Sequence, residues 1–543
     1  MRISAALALL LCALAASAQV PDLILLNGKV ITVDDRFSIA QAIAIKGDRF
    51  LATGSSQQIA SLAGPDTRRI DLHGRTVIPG LIDDHIHLLR AASTWLRELR
   101  FDGVYSRTQA LDMLRARVKT AQPGEWIYNL GGWMHQQFND NPAPFTAEEL
   151  DRIAPENPVA LQESYYQVFL NHRALHALGI EANKPDPPEF LKGSIQRDAA
   201  GMPTGIVKSD IAATRVVANH LPRVPAGELE SSAAALVKDM NRVGLTSFGV
   251  PGCDAPTLSI FQKWHAAGSL NARIFCIDGT AAARPDQVAA TIEQLAPLRA
   301  KLFQGDSYID HIAFGESIYT PLHDPMFTIK SDPQPDQLEQ WRRIAREIAK
   351  AGLPMHVHAE LHDTINAFLD QIEAINREFP IHNLRWVFAH LNQIDASQLE
   401  RMKKLGMYAA IHPWAVINGA LMPDMPPFKT IQASGITWGL GSDGTAANDY
   451  APFNTLQFAV TGQMAGGAKV NSQTISREDA LLAHTRKNAY FLFQENNLGS
   501  IQPGMLADLV VLDRDYLIIP ATQIHDIKPV MTIVGGRIAY ESR

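Results

Sequence analysis

Short apolar runs punctuated by turns fill the chain from Leu23 to Ile70. Leu23-Ile24-Leu25-Leu26, Asn27-Gly28 and Lys29-Val30-Ile31-Thr32-Val33 predict a hairpin about an Asn-Gly turn. Ala42-Ile43-Ala44-Ile45, Lys46-Gly47-Asp48 and Arg49-Phe50-Leu51-Ala52 predict a second strand–turn–strand unit. The same texture returns at the far end, in Ala507–Asp513 and Val530–Tyr540. Between these ends the pattern changes. Apolar strands at Gly244–Val250, Met355–Ala359, Arg385–His390, Met407–Pro413 and Thr437–Asp443 alternate with helical stretches such as Asp336–Ala351 and Asp363–Arg377. Repeated β–α units over roughly 400 residues predict an α/β fold built as a (β/α)8 TIM-like barrel. An open doubly wound sheet is the alternative, but polar residues at successive strand ends favour the barrel, whose active sites sit on that rim. Residues 101–222 are long for one β–α connection and read as an insertion. That leaves the second barrel strand open between Trp126–Gly131 and Pro158–Ser164.

The start of the chain carries a different signal. Met1-Arg2, an apolar segment from Ile3 to Ala16, and Ala16-Ser17-Ala18 have the layout of a secretory signal cut after Ala18. The segment is short for a membrane span, so the expectation is a periplasmic or secreted protein with no stable membrane insertion once the signal is removed. Of 3 cysteines, Cys253 and Cys276 lie beyond the signal. Two thiols make no disulfide framework and lack metal-finger spacing, and the sequence does not decide whether they pair. A net charge of −7 excludes a strongly basic nucleic-acid binder. With 543 residues, 46% of them hydrophobic, the chain is long enough for more than one domain. A homo-oligomer stays open.

Candidate chemistry centres on Thr76-Val77-Ile78-Pro79-Gly80-Leu81-Ile82-Asp83-Asp84-His85-Ile86-His87. An apolar run ends in two histidines at i, i+2, which an extended chain points to one side. Imidazole is a common ligand of zinc and related metals. The block resembles the V-x-P-G-x-x-D-x-H-x-H signature of metal-dependent amidohydrolases. The resemblance spans nearly the whole mature chain and is closest to amidohydrolase family 3, the group that includes N-substituted formamide deformylase. Gly201-Met202-Pro203-Thr204-Gly205 and Leu498-Gly499-Ser500-Ile501-Gln502-Pro503-Gly504 are among the supporting stretches.

The resemblance implies a small β-sandwich made from residues 19–76 and 503–543, flanking a hydrolase barrel over 77–502. It implies a metal centre of one or two divalent ions, with Zn2+ the expected metal, held by His85, His87, His358, His390 and Asp443. Asp443, in Gly441-Ser442-Asp443-Gly444, would ligate metal and take the proton of the attacking water; His390, or a pocket group such as Tyr166, would aid the oxyanion. The implied reaction is hydrolysis of a non-peptide C–N bond (amide, formamide, carbamate or cyclic amide) in a small-molecule substrate. A deaminase or an esterase or lactonase on the same site is the second reading, and a non-catalytic binding protein the third.

Departures from the family pattern mark the pocket. Ala389 stands where a glutamate is usual, Tyr166 where a substrate-facing histidine is usual, and His412 where a glutamine is usual. Tyr166 and His412, with Trp133 of the family-like stretch Gly131-Gly132-Trp133, are the expected substrate-binding residues. The family's bridging, carboxylated lysine is also missing from the strand expected at Tyr308–Glu316. Lys301 imitates its motif, but Val288, Ile292, Leu295, Leu298 and Leu302 recur at helical spacing and place Lys301 at a helix end. Glu316, at the strand's end, could supply the carboxylate directly; the alternative is a structural or solvent-facing Glu316 over a one-metal site.

Overall fold

The computed structural model describes residues 20–208, 211–253, 255–419 and 421–542. The expected signal, residues 1–18, lies outside the described residues.

Eight parallel strands make the barrel, in chain order: Leu81–Asp83, Leu245–Pro251, Arg273–Asp278, Ile309–Glu316, Met355–Ala359, Val387–His390, Tyr408–Ile411 and Trp438–Leu440. Each pairs with the next by a parallel ladder. Between the last strand and the first a side chain makes the join. Asn488 donates from Nδ2 to Ile82 O at 2.7 Å and to Leu440 O at 2.8 Å. Register then sets heights on the rim: Glu316 pairs with Val357, and His358 with Ala389.

Outer helices pack on the strands through the spacing their sequences carry. Pro335–Lys350 buries Trp341, Ile344, Ala345 and Ile348, and His362–Glu378 buries Ile365, Phe368, Leu369, Ile372 and Ile375. These are the i, i+3, i+4, i+7 positions of one helical face. The two faces meet where Trp341 stacks on Phe368 at 4.3 Å between centroids. Among the described residues no helix is long and apolar enough to cross a membrane.

The second barrel strand is Leu245–Pro251, which corrects both sequence candidates. Ile127–Leu130 and Val159–Glu163 pair with each other, in parallel, inside a separate five-stranded sheet of the insertion. Both are apolar strands, as expected; alternation reports a strand but not its partner. The predicted N-terminal hairpin is likewise corrected. Leu23–Leu26 pairs with Ala42–Lys46 and Arg68–Asp71, whereas Lys29–Ile31 pairs with Ile39–Ala40 and Thr76–Pro79. Asn27, with φ of 57°, turns the chain from one sheet into the other. Leu23, Leu25, Val30, Ile43 and Ile45 then face one shared core.

Both chain ends meet in the second of these sheets. Leu509–Leu512 pairs antiparallel with Thr76–Pro79, and Pro529–Val534 and Arg537–Glu541 extend it. A buried ion pair ties this sandwich to the barrel: Arg273 meets Asp508 through two 2.8 Å bonds. Cys253 and Cys276 form a disulfide between the end of the second barrel strand and the third.

Candidate metal centre

His85 and His87 sit just past the first barrel strand, and the backbone there is clamped from both sides. Ile86 N donates to Gly249 O at 2.9 Å, while Asp443 N donates to His85 O at 2.9 Å and His87 N to Gly444 O at 2.7 Å. These bonds fix the backbone through the His-x-His, and both imidazoles face Glu316 and Asp443. Gly441 makes the approach of the eighth strand possible, since a Cβ there would lie 2.2 Å from Asp84 Oδ1. His390 (φ 79°) and Asp443 (φ 57°) adopt left-handed backbone, a sparsely populated region for such residues and a recurrent feature of functional sites.

Glu316 lies at the middle of the cluster. Its Oε1 is 3.4 Å from His85 Nε2, 3.5 Å from His358 Nδ1 and 3.4 Å from His390 Nε2; its Oε2 is 3.6 Å from His87 Nε2. Asp443 Oδ1 faces His85 Nε2 at 3.6 Å and His87 Nε2 at 3.5 Å. Four imidazoles and two carboxylates thus converge, and subsets of them offer ligand atoms close enough together to hold an ion. The contacts are long for hydrogen bonds. His85 Nε2 and both ring nitrogens of His358 are buried without a hydrogen-bond partner. Buried nitrogen lone pairs turned toward carboxylate oxygens repel unless a cation lies between, so the donor set fits a metal ion.

Electrostatics point the same way. Burial opposes charge on Glu316, but the neighbouring His85 charge, with the His358 and His390 imidazoles beside it, holds it well below the usual carboxylate range. Burial also works against charge on His85, and Glu316 outweighs it, raising that imidazole to about 9. Burial pushes Asp443 up, with Glu316 adding to the rise and His85 opposing it.

A second layer aims the first. His85 Nδ1 meets His356 Nε2 at 2.9 Å, so of the two histidines on the fifth strand His358 faces the centre and His356 backs His85. Asp83 accepts from Ser442 N at 3.0 Å, Ser442 Oγ at 2.5 Å and His85 N at 3.2 Å. Trp414 donates from Nε1 to Asp443 Oδ2 at 3.0 Å. His412 bridges Asp84 Oδ1 (3.1 Å from Nε2) and His390 Nδ1 (2.9 Å from Nδ1). In the tautomer that has His412 Nε2 donating to Asp84 Oδ1, His412 Nδ1 accepts from His390 Nδ1, which turns the His390 Nε2 lone pair to the centre.

All six expected ligands, His85, His87, Glu316, His358, His390 and Asp443, are brought together here. Lys301 ends the helix Leu295–Lys301, away from the strand ends. Two of the three expected substrate-binding residues are placed elsewhere. Trp133 is fully buried in the insertion, its Nε1 donating to Asn129 Oδ1 at 2.7 Å and its ring packed on Phe101 and Phe138. His412 is fully buried behind His390. Tyr166 is half-buried, its ring 5.4 Å from Phe327, which in turn lies 6.5 Å from Trp414. Sequence reading missed Trp414 and His323, whose ring stacks on His358 at 3.8 Å. Trp414 follows His412-Pro413 at a strand end, a position that could have flagged it; His323 sits in a loop with no pattern around it.

A parallel barrel with histidines and carboxylates on its C-terminal rim defines a metal-dependent hydrolase fold with a candidate metal site. The sequence pattern of the Amidohydrolase family matches residues 68–540, and the chain belongs to that family of hydrolases acting on C–N bonds other than peptide bonds. It is 26% identical over 551 residues to the N-substituted formamide deformylase of Arthrobacter pascens, covering 96% of this chain and 99% of that protein. Among solved structures, an uncharacterized metal-dependent hydrolase from Pyrococcus horikoshii OT3 superposes with a TM-score of 0.61 at 20% identity, over 92% of this chain and 99% of that one. The atrazine chlorohydrolase TrzN of Arthrobacter aurescens TC1, complexed with zinc, superposes with a TM-score of 0.54 at 14% identity, over 96% and 95% of the two chains. These two likenesses concern the fold.

Proposed function

We propose that the chain is a zinc-dependent hydrolase that opens an amide or formamide bond of a small molecule. The observation that carries this reading is the convergence of four imidazoles on Glu316 and Asp443 at 3.4–3.6 Å, with buried nitrogens left unpaired. His85, His87, His358, His390, Glu316 and Asp443 would hold one or two ions. When bound, a divalent metal supplies a Lewis acid for the carbonyl and lowers the pKa of water toward neutrality.

The chain's own residues do the rest. Asp443 takes a proton from the attacking water and returns it to the leaving amine. Trp414 fixes the rotation of that carboxylate, leaving Oδ1 on the side of His85 and His87. The His412–Asp84 pair holds the His390 ring in place. Tyr166, Phe327 and Trp414 form an aromatic line from the pocket wall to Asp443.

The test is a hydrolysis screen with N-formyl, N-acyl, carbamate, ester and aminopurine compounds, with and without a chelator. The expected result is C–N turnover that a chelator abolishes and zinc restores. Ester-only turnover, or amide turnover indifferent to chelation, would overturn it. We also infer export, on the signal-like residues 1–18 and the Cys253–Cys276 disulfide, a bond that persists in oxidising compartments. The mature N-terminus should be Gln19 in the periplasm or medium; cytoplasmic protein starting at Met1 would contradict it.

A further inference from the structure

Beside the metal centre lies a cavity of about 270 Å³ lined by three guanidinium groups, those of Arg90, Arg215 and Arg223. All three residues are exposed. Among the described residues none of them has a carboxylate within ion-pair distance: Arg90 Nη2 donates to Tyr165 Oη at 2.8 Å, and Arg223 Nη1 reaches Ser93 Oγ at 3.4 Å. One acid, Glu98, lines the cavity, and it is already engaged by Arg100 at 2.7 Å and by the Thr94 hydroxyl. Among the described residues the cavity therefore carries an excess of positive charge. Arginines gathered around one space focus field lines on an anion that enters it.

The cavity also adjoins the chemistry. Arg90 lies in the short helix Leu88–Ala91 directly after His87, and Thr445 and Ala446, also on the wall, directly follow the Asp443 turn. Leu130, Ala218 and Ala446 supply apolar wall between the guanidiniums. Planar guanidinium forks match a carboxylate through paired N–H···O bonds.

We infer that this cavity receives a carboxylate carried by the substrate on a short apolar arm, so the enzyme acts on N-acylated amino carboxylates in preference to neutral amides. The inference rests on the proposed C–N hydrolysis for its reaction, but the binding step can be read separately.

Binding of 3-phenylpropionate, 3-phenylpropan-1-ol and phenyl phosphate to the metal-loaded protein is measured by calorimetry, for wild type, Arg90→Gln, Arg215→Gln and the double variant. In parallel, kcat/KM is compared for N-formylphenylalanine and for N-formylphenethylamine, which lacks the carboxylate. The expected result is that wild type favours the acid over the alcohol, and the carboxylated formamide over the neutral one, at least tenfold. Arg90→Gln and Arg215→Gln should each erode that preference through KM, and the double variant should erase it, with metal content unchanged. Equal affinity for acid and alcohol, or an acid preference that survives the double variant, overturns the inference. Tighter binding of phenyl phosphate than of the carboxylate overturns the choice of anion. Arginine-dependent carboxylate binding without turnover of any C–N compound would leave the cavity assignment standing and bring down the proposed reaction instead.

Discussion

Trp414 and His412 occupy the same loop after the seventh strand, yet each steadies a different ligand. Trp414 holds Asp443 Oδ2, and His412 holds His390 Nδ1. Removing an outer partner of a ligating side chain typically costs 10–100-fold in activity or metal affinity. Trp414→Phe keeps the ring and loses the donor, so kcat should fall about 10–100-fold with the fold intact and KM little changed. Steady-state kinetics at saturating substrate checks this, and an unchanged kcat would remove the indole from the mechanism. At this scale the candidate ligands were legible because each lies at or just past a strand end and the family resemblance selected among the residues there. Glu316 was legible because its strand is apolar, lacks a lysine and stops at a carboxylate. Trp133 misled for the opposite reason: an indole in a family-like stretch reads the same whether it faces a pocket or, as here, four aromatic rings of the insertion.

The first barrel strand is the element on which the site depends most, and its hold is polar. His484 follows the helix Arg477–Ala483; its backbone O accepts from Ile82 N at 3.0 Å, and its Nδ1 meets Ile82 O at 2.9 Å. Burial holds this imidazole down at about 4 against an ordinary 6.5, with its backbone hydrogen bonds pulling the other way. The folded pKa is depressed, so above pH 6.5 both folded and unfolded states are neutral and the contribution is whole. As pH falls from about 6.5 toward 4 the unfolded chain takes a proton that the folded one refuses, and up to about 3 kcal/mol of stability goes with it. His484→Gln should therefore lose less thermal stability than wild type between pH 7 and pH 4.5. Equal shifts in melting temperature for the two proteins would show that His484 does not titrate as described. Strand positions such as these were readable from apolar runs, but strand partners were not. The two insertion strands and the Asn27 corner show why: pairing is settled by contacts far apart in sequence, and local alternation carries no record of them.

Across the whole molecule, the split sandwich, the barrel and the insertion place one six-residue centre under one cationic cavity. Thr76–Pro79 belongs to the sandwich and Leu81–Asp83 to the barrel, with only Gly80 between them, so the two units share a continuous chain into the His-x-His. The buried Arg273–Asp508 pair fixes their second contact, where loss of either partner would strand a buried charge. The central claim is that Glu316 itself supplies the carboxylate of the proposed metal centre, where the family resemblance implies a carboxylated lysine. The direct measurement is metal content by elemental analysis, with turnover, for wild type and Glu316→Ala. Metal stoichiometry and rate should fall together in the variant, and bicarbonate should restore neither. Wild-type metal content and rate in Glu316→Ala, or a wild-type activity that depends on added bicarbonate, would contradict the account.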